Sequence, residues 1–101
     1  MKKILTCLFI AFLLFSCKKE AEVFVPNCNT SEKSFKNDVR PVMQNSCISC
    51  HSDYSSYANV ATDKAKIREQ VVTGEMPQEA TLKDTEKNSI ACWIDSVAKN
   101  N

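Results

Sequence analysis

The chain of 101 residues has little of what turn-rich and low-complexity proteins need. It contains one glycine and three prolines, too few for the many tight turns of a β-sandwich or barrel and for a Gly/Pro-rich disordered segment. Basic and acidic side chains nearly balance, with a formal charge of +1. Because there is no basic block or positively charged stripe, a nucleic-acid partner is not expected. The length suits one small domain.

Long apolar runs are also scarce, and the one that exists lies near the start of the chain. After a positively charged beginning, residues 4–15 are apolar except for Thr6. Twelve residues are too few to span a bilayer as a helix, which takes about 20. The pattern is typical of a secretory signal peptide.

The end of this run carries a second signal. The stretch Leu14-Phe15-Ser16-Cys17 resembles a bacterial lipobox, which implies cleavage before Cys17 and lipid attachment to that residue. We therefore expect a lipoprotein signal peptide over residues 1–16 and a lipid-anchored polar linker over residues 17–31. The alternative is an ordinary signal peptide that is cut nearby.

The only histidine of the chain directly follows a pair of cysteines. Residues 47–51 read Cys-Ile-Ser-Cys-His, the spacing of a c-type haem attachment motif. The thiols of Cys47 and Cys50 can bond the two vinyl groups of one porphyrin, and His51 then places an imidazole on the iron. Two other interpretations remain open, a redox disulfide and a zinc site. Zinc needs four ligands and would have to recruit the distant Cys28 or Cys92.

Cys28 and Cys92 have no role in the attachment motif. They remain after the signal peptide, the lipid site and the motif have taken the other four of the six cysteines. Exported proteins meet an oxidising compartment, so this even remainder predicts a Cys28–Cys92 disulfide that ties the entry of the domain to its last helix. In the chain-entropy model so long a loop is worth about 4 kcal/mol. The alternative is two unpaired cysteines.

Helical periodicity dominates the rest of the chain. Thr30, Ser31 or Ser34 can cap a first helix that ends near Ser46, with a late start or a kink near Arg40 because of Pro41. Residues 52–57 are polar and indicate a loop. Thr62 can cap a second helix over residues 63–73, and Gly74 suits the position just past its end.

A final helix is predicted from Asp84 or Thr85 onward. Its apolar residues fall at spacings of 0, 3, 4 and 7, which defines one helix face predicted to be core. They are Ile90, Trp93, Ile94 and Val97. Without its leader and linker the folded unit has roughly 70 residues, a size that usually needs a staple such as a covalent cofactor or a disulfide.

A methionine can supply the second axial ligand of a haem iron. Met76 lies 25 residues past His51, far enough along the chain to reach the opposite haem face. Met43 is only four residues before Cys47 and is predicted to pack in the core instead. The alternative is a sixth position that is open or filled by water.

Residues 32–101 resemble a small mono-haem class I c-type cytochrome domain of a bacterial lipoprotein. The attachment motif, the downstream Gly-x-Met-Pro and an aromatic final helix occur in the family's order. The chain departs from the family at Val39 and Met43, where a small residue and an aromatic are usual, so the contact with Trp93 must pack differently. No proline follows His51 until Pro77, so the acceptor for its ring N–H is unassigned.

The resemblance implies an all-α, class I cytochrome c-like fold, with three to four helices packed around one covalently bound haem c per chain. Its axial ligands would be His51 and Met76. It implies a membrane-anchored one-electron carrier rather than an enzyme, with redox proteins such as a respiratory complex, oxidase or reductase as partners. The expected location is the bacterial cell envelope, on the periplasmic side of a membrane. The alternatives are a haem gas-binding or catalytic protein with an open sixth site, and a non-haem structural or binding lipoprotein with a disulfide or zinc at residues 47–51.

Overall fold

The computed structural model describes residues 22–29, 31–78 and 80–101, and within these ranges the chain is all-α, with no strand. The four α-helices are α1 (Arg40–Ser46), α2 (Tyr57–Thr62), α3 (Lys64–Thr73) and α4 (Asp84–Asp95). A π-helical turn (Phe35–Val39) leads into α1, and a 3₁₀ turn (Ser52–Ser55) precedes α2. The predicted all-α class is confirmed.

Three predictions fall wholly on residues outside these ranges, and residues 17–21 of the predicted linker lie outside them as well. The three predictions are the signal peptide over residues 1–16, the lipid site at Cys17 and the candidate cap Thr30. Among the helices that the structure describes, none combines the length and the apolar character needed to cross a membrane.

The irregular start of the first helix follows from Pro41. Ser34 caps the π-helical turn, and its hydroxyl accepts a hydrogen bond from the Asn37 N–H at 3.2 Å. Because Pro41 has no N–H, the regular ladder cannot run through it. The chain makes a wide turn first and becomes α-helical at Arg40. The late start of the α-helix predicted near Arg40 is confirmed.

The middle of the chain is more helical than its composition indicates. Residues 52–57, predicted as loop, form the 3₁₀ turn and the start of α2, which Ser56 caps. The prediction was wrong because the tyrosines here look like loop residues, whereas Tyr54 is only 8% exposed and belongs to the core. Thr62 ends α2 instead of capping α3, and the break between the two helices falls at Asp63.

The loop between α3 and α4 starts at Gly74 and ends at Lys83, the cap of α4. Gly74 follows α3 with φ of 79°, the left-handed conformation predicted for it. The cap of α4 is Lys83, one residue before the predicted positions, and its N–H donates to the Glu86 carboxylate at 3.0 Å.

The predicted apolar face of α4 is only partly buried. Ile90 and Trp93 are fully buried, but Val97 is 77% exposed, so its assignment to the core was wrong. The reason is that α4 ends at Asp95 and the chain then turns through Val97 at φ of 86°. The Ala98 N–H closes this turn on the Trp93 carbonyl at 3.0 Å.

An aromatic cluster joins the first and last helical segments. The ring centroids of Phe35 and Trp93 lie 5.4 Å apart, and those of Phe35 and Tyr57 lie 5.3 Å apart. Val39 and Met43 are fully buried in the same core, as predicted for Met43. Phe35 and Tyr57 therefore both supply aromatic contacts with Trp93, the Tyr57 ring with its centroid 6.1 Å away.

Candidate functional site

The cysteine and histidine motif forms a tight turn directly after α1. The N–H groups of Cys47 and Ile48 both donate to the Met43 carbonyl, at 2.9 and 3.0 Å. The His51 N–H then donates to the Cys47 carbonyl at 2.9 Å. Because Met43 is fixed in the core, the position of the motif is fixed by the end of α1.

Neither cysteine of the motif is in a disulfide. Cys47 is half-buried and Cys50 is exposed. Burial raises the pKa of the Cys47 thiol, whereas a redox-active cysteine needs a lowered pKa.

A cavity of about 470 Å³ opens beside this turn. That volume falls within the range of about 300–1,000 Å³ seen for small-molecule and cofactor sites. The wall combines the motif with the loop that follows α3. Its lining residues are Asn45, Ser46, Cys47, Ser49, Cys50, His51, Met76, Pro77, Gln78 and Ala80. The fold thus brings Met76 to the same cavity as Cys47, Cys50 and His51.

Backbone hydrogen bonds tie the loop that carries Met76 back to α3. The Gly74 N–H donates to the Val71 carbonyl at 3.3 Å, and the Met76 N–H donates to the Gln70 carbonyl at 3.1 Å. A Cβ on Gly74 would meet no atom within 4 Å, so its positive φ, rather than lack of space, favours glycine there. These two bonds hold Met76 at the cavity wall.

An aromatic ring orients His51. The rings of His51 and Tyr54 are stacked, with centroids 4.9 Å apart and planes 19° from parallel. The Tyr54 hydroxyl donates to an Asp63 carboxylate oxygen at 2.8 Å. Burial, together with this hydrogen bond and the charge of Asp63, raises the pKa of Tyr54 to about 12. The hydroxyl therefore keeps its proton across the ordinary pH range.

Tyr54 was not recognised from the sequence as part of the site. Its spacing of three from His51 is the available signal, because side chains at i and i+3 eclipse in a 3₁₀ turn. No hydrogen bond to a ring nitrogen of His51 occurs within the described ranges. The Tyr54 ring contacts the face of the His51 ring, and the acceptor for the ring N–H stays unassigned among these residues.

Cys28 and Cys92 are joined by a disulfide, with their Cα atoms 5.3 Å apart, a usual separation for such a bond. The bond takes both thiols away from the motif at residues 47–51. Across the part of the chain that the structure describes, no group of three or more His, Cys, Asp or Glu side chains could hold a metal ion. A zinc site at the motif therefore lacks further ligands there.

Residues 22–29, predicted as part of the polar linker, contact the domain, and we call them the strap. The Phe24 N–H donates to the Val72 carbonyl in α3 at 2.7 Å. On α4, Asn88 accepts from the Asn27 N–H at 2.7 Å and donates to the Asn27 carbonyl at 2.9 Å. The Lys87 ammonium lies 5.5 Å from the centre of the Phe24 ring.

No protein-family model, no curated protein and no solved structure matches the chain. The case for a function therefore rests on the residues around the cavity.

Proposed function

We propose that the protein is a mono-haem c-type cytochrome of the small class I type that acts as a one-electron carrier. One observation carries the proposal: two free thiols, an imidazole and a thioether line a single cavity. These groups belong to Cys47, Cys50, His51 and Met76. This donor set fits a covalently attached haem, and one motif per chain means one haem c per chain.

Each of the four residues would have its own role. Cys47 and Cys50 would form the thioether bonds, while His51 and Met76 would be the two axial ligands. When bound, the haem supplies reversible one-electron chemistry, and a methionine ligand raises its reduction potential. With side chains at both axial positions no site for a substrate is left, so we propose a carrier rather than an enzyme.

Neighbouring residues would keep these groups in position. Tyr54 stacks against His51 and is itself held by Asp63, so the ring would keep one orientation in both redox states. The Met43 backbone carbonyl, which accepts from the Cys47 and Ile48 N–H groups, fixes the start of the motif. Ligands that do not move between oxidised and reduced states suit fast electron exchange, because little reorganisation accompanies the transfer.

The helices are proposed to form a class I cytochrome c-like fold around the haem. The contact between Phe35 and Trp93 supports this proposal, because it brings together the first and last helical segments. The cofactor would also supply apolar surface to a domain too small to build a large core unaided.

We further propose export to the bacterial cell envelope, with residues 1–16 as signal peptide and a lipid on Cys17. The Cys28–Cys92 disulfide supports an oxidising compartment such as the periplasm. Partners would be redox proteins near the membrane, such as a respiratory complex, an oxidase or a reductase.

A visible spectrum combined with an intact mass tests the proposal on one sample. The full chain is expressed with a haem-attachment system and purified in its folded state, and a portion is then denatured to remove non-covalent haem. We expect the mass of one haem on the polypeptide and a haem spectrum that survives denaturation. A folded product of full yield without haem would overturn the proposal in favour of a structural or binding lipoprotein.

The same sample separates the carrier from a gas-binding or catalytic haem protein. Reduced protein is mixed with CO and the spectrum is followed. Slow or absent CO binding supports two side-chain ligands, whereas immediate and complete binding would favour an open sixth position.

A further inference from the structure

We propose that the strap, residues 22–29, holds the Met76 loop in its ligating position. The inference rests on the proposed role of Met76 as an iron ligand. The Met76 loop, which the structure describes at residues 74–78 and 80–83, joins the end of α3 to the start of α4. The strap is hydrogen-bonded to both of these helices and disulfide-bonded to α4. It therefore links the two helices that the loop connects.

The first attachment is at the end of α3, from which the loop departs. The last carbonyls of a helix have no partner within the helix and need one from elsewhere. Here three consecutive carbonyls are satisfied from outside the helix ladder. Gln70 accepts from Met76, Val71 from Gly74 and Val72 from Phe24.

Two of these three bonds come from the loop itself, and the third comes from the strap. The Phe24–Val72 bond, at 2.7 Å, is the shortest of the three. Losing it would leave the Val72 carbonyl to water and allow the last turn of α3 to fray. Because Met76 is bonded to that turn, fraying would release the backbone of the ligand.

The second set of attachments is on α4. Asn88 and Cys92 lie four residues apart, and therefore on one face of the helix. Asn88 makes two hydrogen bonds with the Asn27 backbone, and Cys92 is bonded covalently to Cys28. Lys87 lies over the Phe24 ring. The strap is thus fixed on α4 and reaches across to α3.

This bridge constrains the distance between the two ends of the loop. When α3 and α4 cannot separate at the strap, the loop has fewer conformations that withdraw Met76 from the cavity. We therefore assign Phe24, Asn88 and the Cys28–Cys92 disulfide as positioning groups for Met76. None of them lines the cavity that Met76 faces.

The test compares strap variants of the haem-loaded full chain with wild type. Asn88→Ala removes the two hydrogen bonds and keeps the disulfide, and a Cys28→Ser/Cys92→Ser double variant removes the covalent link. We measure amide hydrogen exchange at residues 74–78, where every residue except Pro77 has an N–H, and the rate of CO binding to reduced protein. Asn88→Ala should raise both by about two- to tenfold, the size expected for a lost hydrogen bond, and the double variant by more.

A control variant separates positioning from general loss of stability. Tyr57→Phe removes the hydrogen bond of 2.7 Å from the Tyr57 hydroxyl to the Ala98 carbonyl, which is distant in sequence from both the strap and the Met76 loop. It should lower the melting temperature without a selective change in exchange at residues 74–78 or in CO binding. If Asn88→Ala and Tyr57→Phe change exchange at these residues equally, the proposal is overturned.

Failure of the strap proposal can be told apart from failure of the proposed function. If Met76→Ala opens the iron to CO but both strap variants behave like wild type, the positioning role alone is wrong. If Met76→Ala leaves the spectrum and CO binding unchanged, Met76 is not a ligand, and both proposals fail.

Discussion

The two methionines of the described chain offer the sharpest test, because the same substitution should have opposite effects. Met43 is fully buried in the core, whereas Met76 is half-buried at the cavity wall. Met43→Ala should therefore change stability and leave the proposed iron site intact. Met76→Ala should change the iron site and leave most of the stability intact.

The magnitude for Met43 follows from its burial. Replacing a fully buried methionine by alanine typically costs about 2–5 kcal/mol. In a domain of this size, each 1 kcal/mol lowers the melting temperature by about 4–8 °C. A fall of at least roughly 8 °C is therefore expected, with an unchanged spectrum in the folded state.

For Met76→Ala the expected changes are in the oxidised spectrum and the reduction potential. Loss of the thioether should abolish the weak sulfur-to-iron charge-transfer band of the oxidised protein and lower the reduction potential. Reduced Met76→Ala should bind CO readily. Thermal unfolding, the oxidised spectrum and a redox titration are recorded for both variants. If Met43→Ala loses the charge-transfer band while Met76→Ala keeps it, the ligand assignment is wrong.

Three further predictions concern residues other than the proposed iron ligands. Tyr54→Leu should alter the reduction potential and the spectral signature of His51 ligation, because the stacked ring is lost. Tyr54→Phe should keep both and lose about 1 kcal/mol of stability with its hydrogen bond. Equal potentials in wild type and Tyr54→Leu would argue against the orienting role. Val97→Gly should raise the melting temperature, since a β-branched residue at φ of 86° carries a left-handed penalty of about 1–2 kcal/mol, and a lower melting temperature would contradict this. Cys17→Ser should release the protein from the membrane fraction or block its processing, and a wild-type protein that is already soluble would refute the lipid assignment.

Local signals in the sequence predicted much of the site. The attachment spacing identifies Cys47, Cys50 and His51 as a unit, and the structure places them in one turn beside the cavity. Gly74 predicts the end of α3 because only a residue that tolerates positive φ suits that position. Met76 follows Gly74 by two residues, so the predicted end of α3 also places Met76 near the wall of the cavity.

The features that the sequence did not predict depend on contacts between distant residues. Tyr54 lies in a polar stretch that indicates a loop. Its contact with His51 exists only because the 3₁₀ turn stacks the two rings. The strap has no apolar periodicity that would predict its docking. It docks through hydrogen bonds to Asn88 of α4, which lies 61 residues beyond Asn27, and to Val72 of α3. Val97 fits the apolar period, but the helix ends before reaching it.

The docking of the strap also sets how far the domain could move from a membrane. A lipid on Cys17 would leave only residues 17–23 free before the bond at Phe24, a span of about 25 Å even when fully extended. A tether free as far as residue 31 would reach about 50 Å. Because Phe24 is bonded at the end of α3, the short tether would hold that end of the domain close to the bilayer. The Met76 loop, which starts there, would stay close to the bilayer as well. Electrons would then pass most readily to a partner embedded in the same membrane, within a thin layer above its surface.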